Sequence, residues 1–266
     1  MSVKLVVSDV DGTLVDKEKK LTPGTIAAVK RLQAAGVGFT IISARPRSGM
    51  MPIADALDLD VPMGAFNGGT IFRRDGSVTC QHRIPRAVVE GVFAFADGLA
   101  VDRWVFADDR WYASSLEGVH VEHERIASNQ EPVLTQDFTG LYDRADKVTF
   151  VSDAPRVLSS LAGRIGLFAG QATIVQSQVY YLDVTALAAN KGDGIALLAE
   201  AMGVPLADTC AIGDQHNDLP MFARAGLSIA MGQGPAEVRA KAKHVTAGND
   251  EDGVARAIDG IILAGR

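Results

Sequence analysis

The amino-acid sequence predicts an α/β protein, a parallel-sheet core interrupted in sequence by an inserted α+β segment. Three observations lead there. Short apolar runs alternate with helical patterns at both ends of the chain. The middle carries runs with polar alternates and hairpin turn signals. Acid-containing turns follow directly on apolar runs, at Asp9 near one end and at Asp214 near the other.

Each element has a local reason. Residues 4–8 (KLVVS) are short and valine-rich, as expected of a strand buried on both faces. Thr22 is placed to cap a helix, with Pro23 at its first position, where the missing N–H costs nothing. Ile26, Val29 and Leu32 follow at helical spacing, and Gly36 ends the helix. Residues 37–43 read as a second buried strand. Asp75-Gly76 marks a hairpin turn between residues 70–73 and 77–81. A helix is expected over 85–98, and a hairpin over 104–114 with Asp108-Asp109 at its interruption. Residues 147–152 and 173–184 read as strands, with 155–167 helical between them. The polar alternates in VQSQVYYLDV indicate a sheet with one wetter face. From Lys191 the α/β style returns, with helices expected over 192–202, 218–225, 237–242 and 253–263 and strands over 208–212 and 227–230. The expected division is therefore a core of residues 1–82 and 186–266 around an insert of residues 83–185.

Composition narrows the function classes. The 266 residues include 26 basic and 32 acidic side chains, a formal net of 26 − 32 = −6. That balance argues against binding nucleic acid through its phosphates, but leaves room for a small anion at a locally charged site. Hydrophobic residues make up 47%, enough to bury a core. Cys80 and Cys210 are far apart and neither belongs to a CxxC pair, so neither a disulfide scaffold nor a thiolate zinc site is expected. The longest uncharged stretch, residues 165–182, contains three glutamines and reads as strand and loop, not as a membrane span. With no signal-like N-terminus, a soluble cytoplasmic protein is expected, as a monomer or small homo-oligomer.

Four short segments carry chemistry. In Asp9-Val10-Asp11-Gly12, residues two apart on extended backbone face the same way, so both carboxylates can enter one site at the strand's carboxyl end. One can act as a nucleophile while its neighbour moves a proton. Gly12 allows a sharp turn that brings amides toward an anion. A bare D-x-D-G is also a common acidic surface turn. Gly213-Asp214-Gln215-His216-Asn217-Asp218 also follows an apolar run, and hard carboxylates at the same edge suit Mg²⁺. Asn217 or Asp218 can equally cap the next helix. Ser43, in Ile42-Ser43-Ala44-Arg45-Pro46, can hydrogen-bond a phosphoryl oxygen, though by itself it reads better as a helix cap. Lys191 opens a helix, an unusual place for a cation unless an anion is bound there. Elsewhere, His120 and His123 read as a solvated polar stretch, and Trp104, Trp111 and Tyr112 as packing.

Together, DVDGTLV, IISARP, NKGDGIALLAEAMGV and IGDQHNDLPMFARAGLSIAMG resemble the signatures of haloacid dehalogenase superfamily phosphatases. FNGGTIF and NDEDGVARAI fit the Cof-type branch, which carries a large cap of the C2 type. Ala44 departs from the glycine more usual there. The resemblance implies a Rossmann-like core with an inserted cap that sets specificity. It implies Mg²⁺-dependent hydrolysis of small phosphorylated metabolites, sugar phosphates above all. Asp9 would form an aspartyl-phosphate, and Asp11 would protonate the leaving alcohol and then activate water. An Asp9 oxygen, the Asp11 backbone carbonyl and Asp214 would hold the metal. Gly12, Ser43, Ala44, Lys191 and Asn217 would surround the phosphoryl group, as would Asp11, and Asp218 would support the metal shell or Lys191. A phosphomutase or other phosphotransferase using the same intermediate is the alternative among enzymes. A non-catalytic phosphate-binding module is the alternative outside them.

Overall fold

A computed structural model describes residues 2–265. In chain order the elements begin with β1 (Leu5–Ser8), α1 (Pro23–Ala34), β2 (Gly38–Ile41), α2 (Arg47–Ala56), β3 (Met63–Ala65), β4 (Thr70–Phe72) and β5 (Val78–Gln81). The middle comprises α3 (Arg86–Ala96), β6 (Asp102–Ala107), β7 (Arg110–Ala113), α4 (Val119–Ser128), β8 (Val133–Leu134), β9 (Ala145–Val151), α5 (Pro155–Ile165), β10 (Ala172–Gln178) and β11 (Tyr181–Ala186). The chain closes with α6 (Lys191–Ala201), β12 (Thr209–Gly213), α7 (Leu219–Arg224), β13 (Leu227–Ala230), α8 (Ala236–Arg239), β14 (His244–Val245) and α9 (Gly253–Ala257). The described residues form two compact units, one of residues 2–44, 50–80 and 190–265, the other of Arg45–Gly49 and Gln81–Ala189.

The first unit is built on a five-stranded parallel sheet in the order β14-β13-β12-β1-β2. All four residues of β1 are buried, so its apolar Leu-Val-Val run suits a strand paired on both edges. Leu5 and Val7 pack with Ile195 and Leu198 of α6 and Met221 and Phe222 of α7. Thr22 caps α1 by accepting the Thr25 N–H at 3.0 Å, with Pro23 in the first turn. From β1 the chain steps to β2 on one side and later returns to β12 on the other. The strand order therefore reverses between β1 and β12, and open parallel sheets bind ligands at the carboxyl ends flanking such a point. A three-stranded sheet, β3-β4-β5, adds to this unit, with Gly76 in the left-handed turn between β4 and β5 (φ 85°).

The second unit is a six-stranded sheet in the order β10-β11-β9-β6-β7-β8. One face packs on α3 and α5 through residues such as Val89, Phe93, Val105, Phe150 and Leu161. Asp108 and Asp109 make the turn of the β6–β7 hairpin, both with positive φ (51° and 60°). Trp104 and Trp111 are buried against each other, with ring centroids 5.0 Å apart. At its outer edge β10 is half-buried to exposed beyond its first residue, the wetter character expected of this segment.

Local expectations differ from the structure at several places: the helix expected over 237–242 is only the short α8, and strands β8 and β14 were not expected. Residues 173–184 are not one strand but parts of β10 and β11, turning at Val179-Tyr180, where Gln178 pairs with Tyr181. That turn contains no Gly, Asn, Asp or Pro, so no local signal marks it. The polar stretch around His120 and His123 lies in α4. Neither α2, with Pro52 inside it, nor the short β3 stands out in the sequence. The helix expected over 253–263 changes after Ala257 to a wider helix over Ile258–Leu263.

Candidate active site

Strand register brings the site together. Ser8 pairs with Ile212 on one side and Ile41 on the other, so the three strands end level. The Asp9 N–H continues the ladder by donating to the Ile212 carbonyl (2.9 Å), and the Ile42 N–H donates to the Ser8 carbonyl (2.9 Å). Asp9 thus sits between the segment holding Ser43 and the segment holding Asp214. Ser43 is 1% exposed, its N–H donating to Gly64 and its carbonyl accepting from Asn67, while Ala44 is exposed.

Four charged side chains meet below this edge. Lys191, at the first position of α6, is 1% exposed and donates to Asp218 Oδ1 at 2.6 Å and to Asp9. Asn190 caps α6 by accepting the Asp193 N–H (2.9 Å). The other oxygen of Asp218 accepts from the backbone N–H groups of Asp214 (2.8 Å) and Gln215 (2.9 Å). Asp218 therefore joins Lys191 to the Asp214 turn. A Cβ at Gly213 would run into the Asp218 carboxyl, so glycine is needed there. Gly12 turns with φ +77°, and a Cβ on it would meet the Asp214 carboxylate. Thr13 donates to Asp214 Oδ1 at 3.2 Å.

The electrostatics is that of a site with surplus negative charge. Asp9, Asp214 and Asp218 are buried and bring carboxylate oxygens within 4.8 Å of one another. Against them stands Lys191, a formal sum of −3 + 1 = −2. Burial pushes the Asp9 carboxyl up to about 7; Lys191 opposes the rise, and Asp218 and Asp214 add to it. Burial, then Asp218, pushes Asp214 up to about 6 against the pull of Lys191. Burial alone would lower the Lys191 pKa, but the carboxylates of Asp218 and Asp9 outweigh it and hold the ammonium charged. Asp9 and Asp214, hard oxygen donors in a site of surplus negative charge, fit a small divalent cation, while both Asp218 oxygens are taken by Lys191 and the two backbone amides.

The expected residues divide into two groups. Asp9, Lys191, Asp214 and Asp218 are in direct contact or within one cluster. The Asp11 side chain stands outside that cluster, with Oδ1 accepting from Lys19 Nζ at 2.7 Å, while its expected metal contact concerned the backbone carbonyl. Asn217 is exposed and donates to Asn67 Oδ1 at 3.3 Å. Gln233 donates to the Gly12 carbonyl at 2.5 Å. Asn67, Thr13, Gln233 and Lys19 were not singled out from the sequence. Thr13 and Asn67 lie inside the DVDGTLV and FNGGTIF motifs, which was a usable signal. His216 binds Glu237 at the surface.

A family model for haloacid dehalogenase-like hydrolases matches residues 6–258, nearly the whole chain. The chain belongs to the haloacid dehalogenase-like hydrolase family. This hydrolase is 29% identical over 261 residues to a protein of Haemophilus influenzae that carries a provisional phosphatase name, covering 97% of this chain and 98% of that one. It is 26% identical over 284 residues to a 5-amino-6-(5-phospho-D-ribitylamino)uracil phosphatase of Bacillus subtilis, covering 98% of each. A solved haloacid dehalogenase-like hydrolase from Bacteroides thetaiotaomicron superposes with a TM-score of 0.89 at 27% identity, covering 98% of this chain and 100% of that one. Among the described residues no helix is long and apolar enough to cross a membrane.

Proposed function

We propose that this hydrolase is a Mg²⁺-dependent phosphomonoesterase for small phosphorylated metabolites carrying a sugar or sugar-alcohol phosphate. The observation that carries the reading is the buried Asp9–Lys191–Asp218–Asp214 cluster at the point where the strand order reverses. The names of the relatives support the reaction class.

When bound by Asp9, Asp214 and the Asp11 carbonyl, Mg²⁺ supplies charge neutralisation for phosphoryl oxygens. The chain's own groups do the rest. Lys191 holds Asp9 in one orientation and lessens repulsion between its carboxylate and an incoming phosphate. Asp9 attacks phosphorus in line with the departing alcohol and forms an aspartyl-phosphate. Asp11 gives a proton to the leaving oxygen, then takes one from the water that attacks the phosphoenzyme. Ser43 and the backbone around Gly12 and Ala44 hold the phosphoryl oxygens, and Asn217 lies on the same side. The second unit, corresponding to the C2-type cap, selects the organic part of the substrate. The test is a panel of phosphorylated metabolites assayed for released phosphate with Mg²⁺, with and without acceptor sugars. Release of inorganic phosphate from sugar or polyol phosphates supports the reading. Transfer to an acceptor sugar would make it a phosphotransferase, and inertness toward the whole panel would overturn it.

A further inference from the structure

Lys19 is one of three lysines in the run Lys17-Glu18-Lys19-Lys20, and nothing in that run singles it out. The structure does. Its backbone lies in the left-handed region (φ 61°), which a long side chain rarely adopts. A tight loop holds it there: the Lys19 N–H donates to the Asp16 carbonyl (3.0 Å), the Asp16 N–H to the Lys20 carbonyl (2.9 Å), and the Lys20 N–H to Asp16 Oδ1 (2.9 Å). The loop is tied down by Asn249, which donates to the Val15 carbonyl at 2.9 Å, and by the Lys17 N–H, which donates to Asp250 Oδ1 at 3.1 Å. The result aims the Lys19 ammonium at Asp11 Oδ1, 2.7 Å away.

Stability does not account for this arrangement. Both side chains are about one-third exposed (32% and 34%), and ion pairs with that much solvent contribute little. A lysine held in the left-handed region carries backbone strain, and such strain beside a reacting carboxylate points to a functional demand. Asp11 supplies one. A proton donor must present a particular oxygen to the leaving group, and a carboxylate on a single bond to its Cβ rotates unless one oxygen is held.

We infer that Lys19 is a positioning residue for Asp11, holding Oδ1 so that Oδ2 faces the leaving oxygen. The inference rests on the proposed phosphatase chemistry. It concerns only the proton step, so its signature depends on how much the leaving group needs a proton. An alkyl phosphate leaves as a strongly basic alkoxide and needs one. An aryl phosphate with an acidic phenol does not.

The experiment compares kcat/KM, which covers events up to phosphoryl transfer to Asp9, for an alkyl sugar phosphate and for p-nitrophenyl phosphate in wild type, Lys19→Met and Lys19→Arg. Lys19→Met is expected to lower the alkyl value about tenfold, part of the ~10²–10⁴ that acid–base catalysis supplies, and to change the aryl value less than about twofold. Retained aryl turnover shows that the variant is folded. Lys19→Arg, which keeps a cation at a similar reach, restores most of the alkyl value. Equal losses on both substrates would make Lys19 a phosphate-binding or loop-holding residue and overturn the inference, as would no loss on either. A wild type that hydrolyses neither phosphate would sink the phosphatase reading itself, a result distinct from an active wild type whose Lys19→Met variant matches it.

Discussion

Replacing Lys191 with methionine removes one charge from the centre of the site while keeping most of the side chain's volume. In the structure that ammonium is buried between Asp9 and Asp218, with Asp214 in the same cluster. Its loss leaves three buried carboxylates with no cation among them. Breaking a buried ion pair by deleting one partner costs about 3–5 kcal/mol. In a protein of this size that corresponds to a fall of roughly 6–20 °C in melting midpoint, at about 2–4 °C per kcal/mol. The cost depends on pH, and its direction follows from the site. Asp218 keeps its two backbone N–H donors, at 2.8 and 2.9 Å. Asp9, pushed up to about 7 even beside Lys191, rises further without it and takes up a proton. Protonation removes part of the repulsion, so the deficit relative to wild type is largest near pH 8 and shrinks toward pH 6. Thermal unfolding followed by circular dichroism, in chelator-treated buffer at both pH values, reads this directly. A variant that melts within a degree of wild type at pH 8 would refute the claim that Lys191 compensates buried charge. A deficit that grows on acidification would refute the assignment of Asp9 as the group that takes the proton.

Further predictions concern the metal, a buried acid and a helix cap. Chelation is expected to abolish phosphate release and added Mg²⁺ to restore it; Asp214→Ala should be inactive yet retain its circular dichroism spectrum, and full turnover in metal-free buffer would contradict the metal role. Burial raises the Asp146 carboxyl to about 6 despite the hydrogen bond that Gln81 donates to it at 2.7 Å. A carboxyl that binds its proton more tightly when folded loses stability as pH rises from its unfolded pKa of 3.8 to about 6, and the penalty is complete above that. Asp146→Asn keeps an acceptor for Gln81, so it should be more stable than wild type by about 1–3 kcal/mol at pH 7.5 and no different at pH 3.5, as measured by urea unfolding. Thr22→Ala removes the cap of α1 and should cost about 1 kcal/mol in the same assay.

How far the sequence reached depended on whether a residue's setting is local. Asp9 and Asp214 were legible because each follows an apolar run, and such a run followed by an acid marks the end of a buried strand. Lys191 was legible because a cation at the start of a helix opposes the helix dipole and so calls for an anion. Thr22 and Pro23 announced α1 by cap chemistry alone. Asp218 was expected to support the metal shell or Lys191; its bond to Lys191 is made between distant parts of the chain, whereas the two backbone amides it also accepts from lie only three and four residues away. Lys19 was hidden in a charged run, because its left-handed backbone depends on a loop anchored by Asn249 and Asp250, distant in sequence. The turn at Val179-Tyr180 was missed for a related reason. It follows from the antiparallel pairing of β10 with β11 and not from turn-forming residues.

The central claim is that Asp9 makes the covalent bond to phosphorus while Asp11 moves protons. Rapid acid quench of the enzyme with a phosphoryl-labelled aryl phosphate, followed by peptide mapping, tests it most directly in wild type, Asp9→Asn and Asp11→Asn. Asp11→Asn should accumulate label, because the aryl group departs without a proton whereas water still needs a base, and that label should map to Asp9. Asp9→Asn should show neither label nor turnover. Label on any other residue, or an active wild type that traps no phosphoenzyme in either background, would contradict the account.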